Sequence, residues 1–186
     1  MNYFLGIFPN DKALYKISKL VPEVGRVLDA QGIPFTPVKS ENLHITVLYL
    51  GRKMPFLRKQ STNLRLKRLY FKPFVVSVDE VKLGLGRAAR ETVFGVINSG
   101  AEDLREMVYQ LDESLGFERT QTFMPHMTLG RVAKDLSDEE FHNLGQNFNE
   151  ISKRFLAQEI KFFVNSIYLV ESDLHSYKLC KKFSAS

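Results

Sequence analysis

The feature that most constrains this chain is a short pattern, His-apolar-Thr-apolar, that occurs twice within 186 residues. It is HITV from His44 and HMTL from His126, and both copies lie in runs with the composition of β-strands. The chain has four histidines and seven threonines, so chance gives two such pairs only about one time in a hundred. The repetition, 82 residues apart, predicts two related halves that face each other.

On a β-strand, residues two apart lie on the same face, so the His and the Thr of each copy should project together. The apolar residues of each copy should then point into the core, and these are Ile45, Val47, Met127 and Leu129. Two imidazoles that titrate near neutral pH can act as base and acid in one phosphoryl displacement, without a metal. A Thr hydroxyl beside each can donate a hydrogen bond to a phosphate oxygen.

The ordinary alternative for each copy is a strand histidine next to a threonine that is simply a good β-former. For one copy alone that explanation is the better one. The two copies together favour the catalytic interpretation, with His44 and Thr46 acting alongside His126 and Thr128.

Local patterns predict the element order β-α-β-β-β-α-β-α-β-β. The strands are predicted at 2–8, 43–50, 74–82, 92–98, 122–132, 159–170 and 176–183. One helix should begin at Lys12, with Pro22 kinking or splitting it and Gly32 ending its last turn; the next spans 104–115, with Gly116 as its cap, and the last follows a Ser137–Glu140 capping box. This mixture favours an α+β fold with antiparallel sheet, in a single domain over residues 1–186.

Bulk composition limits the partners and the compartment. The net charge is +5, which favours an anionic partner such as nucleic acid. Cys180 is the only cysteine, so an internal disulfide and a cysteine zinc cluster are excluded, as is usual in a reducing compartment. There is neither a signal-peptide pattern nor an apolar run of membrane-spanning length, so we expect a cytoplasmic protein without membrane association.

Four segments of the chain together resemble the LigT-like RNA 2′,3′-cyclic phosphodiesterases of the two-histidine phosphoesterase superfamily, also described as 2′-5′ RNA ligases. They are YFLGIFP near the start, ENLHITVLYLG at 41–51, FMPHMTLGR at 123–131 and SDLHSYKLCKKF near the end. The resemblance implies two pseudo-symmetric lobes of antiparallel sheet, with outer helices, around a central cleft. It also implies hydrolysis of RNA 2′,3′-cyclic phosphate ends to 2′-phosphates, with no cofactor and no metal.

The same resemblance implies roles for five residues. His44 and His126 are the acid and the base, Thr46 and Thr128 bind the phosphate, and Arg131 falls on the family's phosphate-binding arginine. A guanidinium suits that task because it holds two oxygens and stays charged, although a surface arginine at a strand end is the ordinary alternative. We assign His126 as the base and His44 as the acid, and the exchanged roles stay open. Gly130 and Tyr49 depart mildly from the family pattern.

A basic stretch follows the first motif, since 42–78 contains no Asp or Glu and 52–72 contributes eight positive charges. With an RNA-end site beside it, we interpret this stretch as the edge of a groove for an RNA backbone, against the alternative of a solvated face. The aromatic candidates for stacking a terminal base are Phe4, Phe8, Phe123 and Tyr177, with core packing the expected role of most. His142 and His175 lack the Thr partner and should lie at the surface.

Other functions remain open from the residues. The same site fits a small cyclic nucleotide, an ADP-ribose cyclic phosphate or a 2′-5′ oligoadenylate, and the same groups serve the reverse 2′-5′ ligation. A non-catalytic RNA-binding module is a different class. We expect a monomer that acts on RNA with 2′,3′-cyclic phosphate ends, tRNA fragments among them.

Overall fold

The computed structural model describes residues 1–84, 90–118, 122–132, 135–155, 160–173 and 176–185. Within these ranges the chain forms four α-helices: α1 (Asp11–Asp29), α2 (Phe56–Leu66), α3 (Ala101–Leu115) and α4 (Asp138–Phe155). It also forms ten strands: β1 (Asn2–Ile7), β2 (Phe35–Pro37), β3 (Ile45–Gly51), β4 (Phe74–Val78), β5 (Glu80–Leu83), β6 (Thr92–Val96), β7 (His126–Val132), β8 (Ile160–Val164), β9 (Ser166–Ser172) and β10 (Tyr177–Ser184).

The strands build three sheets in which every pairing is antiparallel. The first sheet has the order β10-β9-β1-β3, the second has the order β2-β7-β6-β5, and β4 pairs with β8 in a two-stranded sheet. The predicted α+β class with antiparallel sheet is therefore confirmed. The motif of His44 belongs to β3 in the first sheet and that of His126 to β7 in the second, so each four-stranded sheet supplies one copy.

Two predicted strands were wrong because each is divided between two sheets. The run 74–82 breaks at Asp79, whose carboxylate accepts hydrogen bonds from the backbone N–H groups of Asn98 (2.8 Å) and Ser99 (3.0 Å). The run 159–170 is divided at Asn165, between β8 and β9. In both runs a polar residue lies where the chain passes from one sheet to another. The alternation of apolar and polar residues, which predicts a strand, does not show that its pairing partner changes.

The helices also depart from the prediction in two places. The predicted order omits α2, which buries only Thr62 and Leu66 and therefore has a weak apolar stripe. Pro22 does not split α1, since the helix continues through it with Ile17 and Val24 buried on either side. The apolar face of α1 packs into the core and offsets the hydrogen bond that proline cannot make.

Other helix boundaries follow the local signals. Gly116 ends α3 with φ 68°, a left-handed conformation that favours glycine. At the start of α4 the Ser137 N–H donates to Glu140 at 2.9 Å, and the Glu140 N–H donates to the Ser137 hydroxyl at 3.2 Å, which is the predicted capping box. In the described ranges no helix combines the length and the apolar character needed to cross a membrane.

Candidate active site

The first motif has the predicted arrangement of side chains. Ile45 and Val47 are fully buried in the core, while His44 and Thr46 are partly exposed on the opposite face of the strand. We call that face of the first sheet the site face. The second motif repeats the pattern, with Met127 and Leu129 fully buried and its His and Thr partly exposed. The strands that carry the two motifs, β3 and β7, contact each other although they belong to different sheets.

Both catalytic candidates are oriented by the same backbone contact. His44 Nδ1 lies 2.7 Å from the carbonyl oxygen of Asn42, and His126 Nδ1 lies 2.8 Å from that of Met124, in each case two residues earlier. A carbonyl oxygen only accepts, so each Nδ1 carries a hydrogen and each neutral ring presents Nε2 as its basic nitrogen. The two halves thus hold their imidazoles in one tautomer and by one device, as the sequence repeat predicts.

Thr46 contacts the histidine beside it. The Thr46 hydroxyl lies 2.9 Å from His44 Nε2, and with Nδ1 already donating, the hydroxyl must donate to Nε2 in the neutral ring. The basic nitrogen of His44 therefore accepts a hydrogen bond from Thr46.

Aromatic rings enclose His44 more closely than His126. Phe4 stacks on the His44 ring with centroids 4.7 Å apart at 29°, Tyr177 meets it edge-on at 5.2 Å, and Phe8 lies tilted at 5.7 Å. Phe94 meets the His126 ring edge-on at 5.8 Å. Phe4 is only 5% exposed, so its role is to hold His44 and not to stack a substrate base. Phe123 packs against the hydrophobic core.

The electrostatics of the site separate the two histidines. Burial lowers the pKa of His44, its hydrogen bond to Asn42 opposes this, and the charge on His126 lowers the pKa further. Burial also lowers the pKa of His126, against its hydrogen bond to Met124. The two rings are thus close enough for the charge on His126 to act on His44.

A β-bulge decides where Arg131 points. Val93 pairs with Gly130, but its neighbour Phe94 pairs with Thr128, so Leu129 is an extra residue on β7. An extra residue shifts the alternation of side chains by one, and Arg131, three residues after Thr128, therefore lies on the same face as Thr128. Without the bulge it would point away from the motif. Its guanidinium forms an exposed ion pair with Glu91 at 2.7 Å.

The same bulge follows the first motif. Gly6 pairs with Thr46 while Leu5 pairs with Leu48, so Val47 is the extra residue on β3. Tyr49 then takes the position that Arg131 has in the second half, five residues after the histidine, and its hydroxyl donates to the side chain of Asn2 at 2.9 Å. One half of the repeat therefore supplies a cation at this position, and the other supplies a phenol.

Tyr177 links the two sheets at the site. It opens β10, the edge of the first sheet opposite β3, yet its ring lies 5.5 Å from Phe4 and 5.2 Å from His44. The side chain therefore reaches across the site face. Burial raises the pKa of Tyr177 and the positive charge of Arg131 lowers it, so the phenol lies near a guanidinium carried by the second sheet. Sequence reasoning gave Tyr177 only as a stacking candidate, because no pattern links it to Arg131.

Three comparisons with known proteins agree on one family. The model of the LigT-like phosphoesterases matches residues 95–174. An RNA 2′,3′-cyclic phosphodiesterase of Archaeoglobus fulgidus is 28% identical over 83% of this chain and 87% of that protein, and one of Methanocaldococcus jannaschii is 28% identical over 70% and 75%. This chain is similar to the LigT-like phosphoesterases in its second half and to these two RNA 2′,3′-cyclic phosphodiesterases over most of its length.

Several solved structures have a similar fold. Escherichia coli LigT in complex with 3′-AMP has a TM-score of 0.67 at 18% identity, covering 100% of this chain and 98% of that one. A structure described as a phosphoesterase has a TM-score of 0.71 at 18% identity, with coverage of 100% and 98%. The protein TT0787 of Thermus thermophilus has a TM-score of 0.66 at 21% identity, with coverage of 99% and 97%.

The family model includes His126, Thr128 and Arg131 but begins after the first motif. The equivalence of the two halves in this chain therefore depends on their matching tautomers, faces and bulges. Of the two other histidines, His142 is exposed on α4, as predicted, and His175 lies outside the described residues. Within the described ranges no group of three or more His, Cys, Asp or Glu side chains is arranged to hold a metal ion.

Proposed function

We propose that this protein hydrolyses RNA 2′,3′-cyclic phosphate ends to 2′-phosphomonoesters without a metal ion. The observation that carries the proposal is a pair of histidines, His44 and His126, held in one tautomer from two different sheets and close enough for the charge of one to lower the pKa of the other. Two archaeal relatives bear the name RNA 2′,3′-cyclic phosphodiesterase, which supports this substrate.

In the proposed reaction water attacks the phosphorus while one imidazole accepts its proton. The bond from phosphorus to the ribose 3′ oxygen breaks, and the other imidazole, protonated, delivers its hydrogen to that oxygen. The product keeps the phosphate on the 2′ oxygen, and the proton gained by one ring balances the proton lost by the other. Strain in the five-membered ring leaves the protein mainly to position groups and stabilise charge.

The electrostatics favour His126 as the acid and His44 as the base, the exchange of the roles that the sequence favoured. His44 is the more enclosed ring, and both its burial and the charge on His126 lower its pKa, so we take His44 as the neutral partner and His126 as the charged one. A neutral His44 with Nδ1–H fixed on Asn42 presents Nε2 as the base.

Thr46 connects phosphate binding to this assignment. In the free protein its hydroxyl hydrogen is committed to His44 Nε2. An anionic phosphate oxygen is a stronger acceptor than a neutral imidazole, so the substrate draws that hydrogen away. This frees Nε2 to accept the proton of the attacking water. Thr128 and Arg131 bind the phosphate from the second sheet, with Arg131 leaving its exposed ion pair with Glu91.

The test is a synthetic RNA that ends in a 2′,3′-cyclic phosphate, incubated with the protein in the presence of EDTA. We expect hydrolysis at an unchanged rate, with end-group analysis showing the 2′-phosphate. Loss of turnover on chelation would overturn the metal-independent mechanism. A 3′-phosphate product would overturn the proposed leaving group, and cleavage of cyclic mononucleotides alone would point to a small-molecule phosphodiesterase.

A further inference from the structure

A second basic surface lies on the side of the first sheet away from the histidines. Along β1, Phe4 contacts His44 on the site face, whereas the neighbouring Tyr3 must point to the opposite face. Helix α2 lies on that opposite face, since its Lys59 lies over the Tyr3 ring at 5.5 Å and 3.9 Å from Glu171. The part of the basic stretch that forms α2 therefore lies behind the sheet.

Helix α2 and strand β10 enclose a groove with a volume of about 630 Å³, within the usual range for a ligand site. Helix α2 and the residue that caps it line the groove at positions 56, 59, 60, 61, 63, 64 and 67, all but position 61 on one helix face, and β10 contributes Lys181. Three lysines line the groove, Lys59, Lys67 and Lys181, and no carboxylate is among its described lining residues.

Large apolar side chains are exposed along this helix instead of packing inward. Phe56 is 71% exposed, Leu57 80% and Leu64 57%, and the first and last of these line the groove. Proteins that bind single-stranded nucleic acid combine two features: positive charges along the phosphate backbone and exposed surfaces on which bases pack. Two amide side chains, Gln60 and Asn63, lie on the same helix face, and the Oδ1 atom of Asn63 is buried.

The edge strand β10 connects this groove to the site face. Lys181 pairs with Leu169 and faces the groove, while the next residue, Lys182, pairs with Tyr168 and lies over its ring at 5.9 Å. Tyr168 in turn meets Phe8, which lies against His44. Cations thus follow the sheet edge from one face to the other, and β10 is three strand spacings, about 14 Å, from β3.

We propose that the groove between α2 and β10 binds the single-stranded body of the RNA whose cyclic end reacts at the histidines. This inference rests on the proposed function and adds a second contact surface to it. A strand that leaves the site face over Tyr168 passes Lys182 at the edge and enters the groove at Lys181, so short substrates fill only the site and longer ones fill both.

The experiment compares kinetics on two substrates, cyclic 2′,3′-AMP and a 12-nucleotide RNA with a 2′,3′-cyclic end. The test variant carries Lys67→Glu and Lys181→Glu. The control carries Lys12→Glu and Lys19→Glu on α1, which makes the same change in net charge away from the groove. We expect KM for the 12-mer to rise roughly tenfold in the test variant and its salt dependence to weaken, because two phosphate contacts are lost. KM for cyclic 2′,3′-AMP, and both values in the control, should stay within about twofold of the unmodified protein.

Equal KM values for the 12-mer in the test and control variants would overturn the proposal. So would binding of anionic vesicles that the test variant loses while its RNA kinetics are unchanged, since the groove would then serve a membrane surface. Failure of the proposed function is a separate result, because the unmodified protein would then hydrolyse neither substrate. In that case fluorescence anisotropy with an uncleavable 12-mer tests RNA binding in the groove independently of catalysis. Equal affinity in the test and control variants would overturn the proposal.

Discussion

Replacing Arg131 with alanine should lower catalytic activity strongly while leaving the stability of the fold nearly unchanged. The guanidinium is 63% exposed, and the carboxylate of Glu91, with which it forms an ion pair, is 40% exposed. Exposed pairs of this kind contribute less than about 1 kcal/mol, so the free energy of unfolding should change by no more than that. The guanidinium faces the same side as Thr128, where the substrate phosphate is proposed to bind.

Loss of two charge-assisted hydrogen bonds in the transition state costs about 3 to 4 kcal/mol, which lowers kcat/KM roughly 10²- to 10³-fold. Steady-state kinetics on a 2′,3′-cyclic RNA and urea denaturation measure the two effects on one sample. The matched control is Arg90→Ala, because Arg90 forms a similar exposed pair with Asp138 at 2.9 Å. A kcat/KM within about threefold of the unmodified protein, with the fold intact, would refute the role derived from the bulge.

Three further predictions concern protons, a ring and a glycine. The pKa values of both imidazoles are lowered, and one ring must be charged for turnover, so kcat/KM should peak below pH 6.5 and fall above it. The free energy of unfolding, measured with urea, should decrease as the pH falls through 6.5, because the histidines of the unfolded chain then bind protons more readily than those of the folded chain. Tyr177→Phe should raise KM roughly fivefold with little change in kcat, since it removes the hydroxyl near Arg131 and keeps the ring; an unchanged KM would exclude substrate contact. Gly130→Ala should lower the free energy of unfolding by about 1 to 3 kcal/mol, because its Cβ would lie 2.3 Å from the Phe35 ring, whereas Gly145→Ala, with nothing within 4 Å, should not destabilise the fold.

Sequence periodicity predicted the features that depend on near neighbours. The faces of both motifs, the left-handed cap at Gly116 and the capping box of Ser137 and Glu140 all follow from contacts within a few residues. These are set by strand alternation and by the unpaired groups at helix ends, which any chain must satisfy locally.

Features that depend on distant partners were missed or misplaced. The division at Asp79 is fixed by backbone groups about twenty residues away, and nothing in its own run shows it. The bulge at Leu129 exists only through the register of β6 against β7, so the direction of Arg131 could not be derived from strand alternation. The placement of Tyr177 across the site face depends on the strand order. The basic helix α2 follows the first motif in sequence and was therefore predicted to lie beside the site, whereas it lies on the opposite face of the sheet.

The central claim is that His44 and His126 act as one unit on a single phosphate. Its most direct test is kcat on a 2′,3′-cyclic RNA for His44→Ala, for His126→Ala and for the double variant. We expect each single variant to lose roughly 10²- to 10⁴-fold, and the double variant to be no more than a few-fold slower than the slower single one, because a base without its acid contributes little. Losses that multiply in the double variant would show that the two histidines act independently, and an unchanged kcat in either single variant would contradict the account.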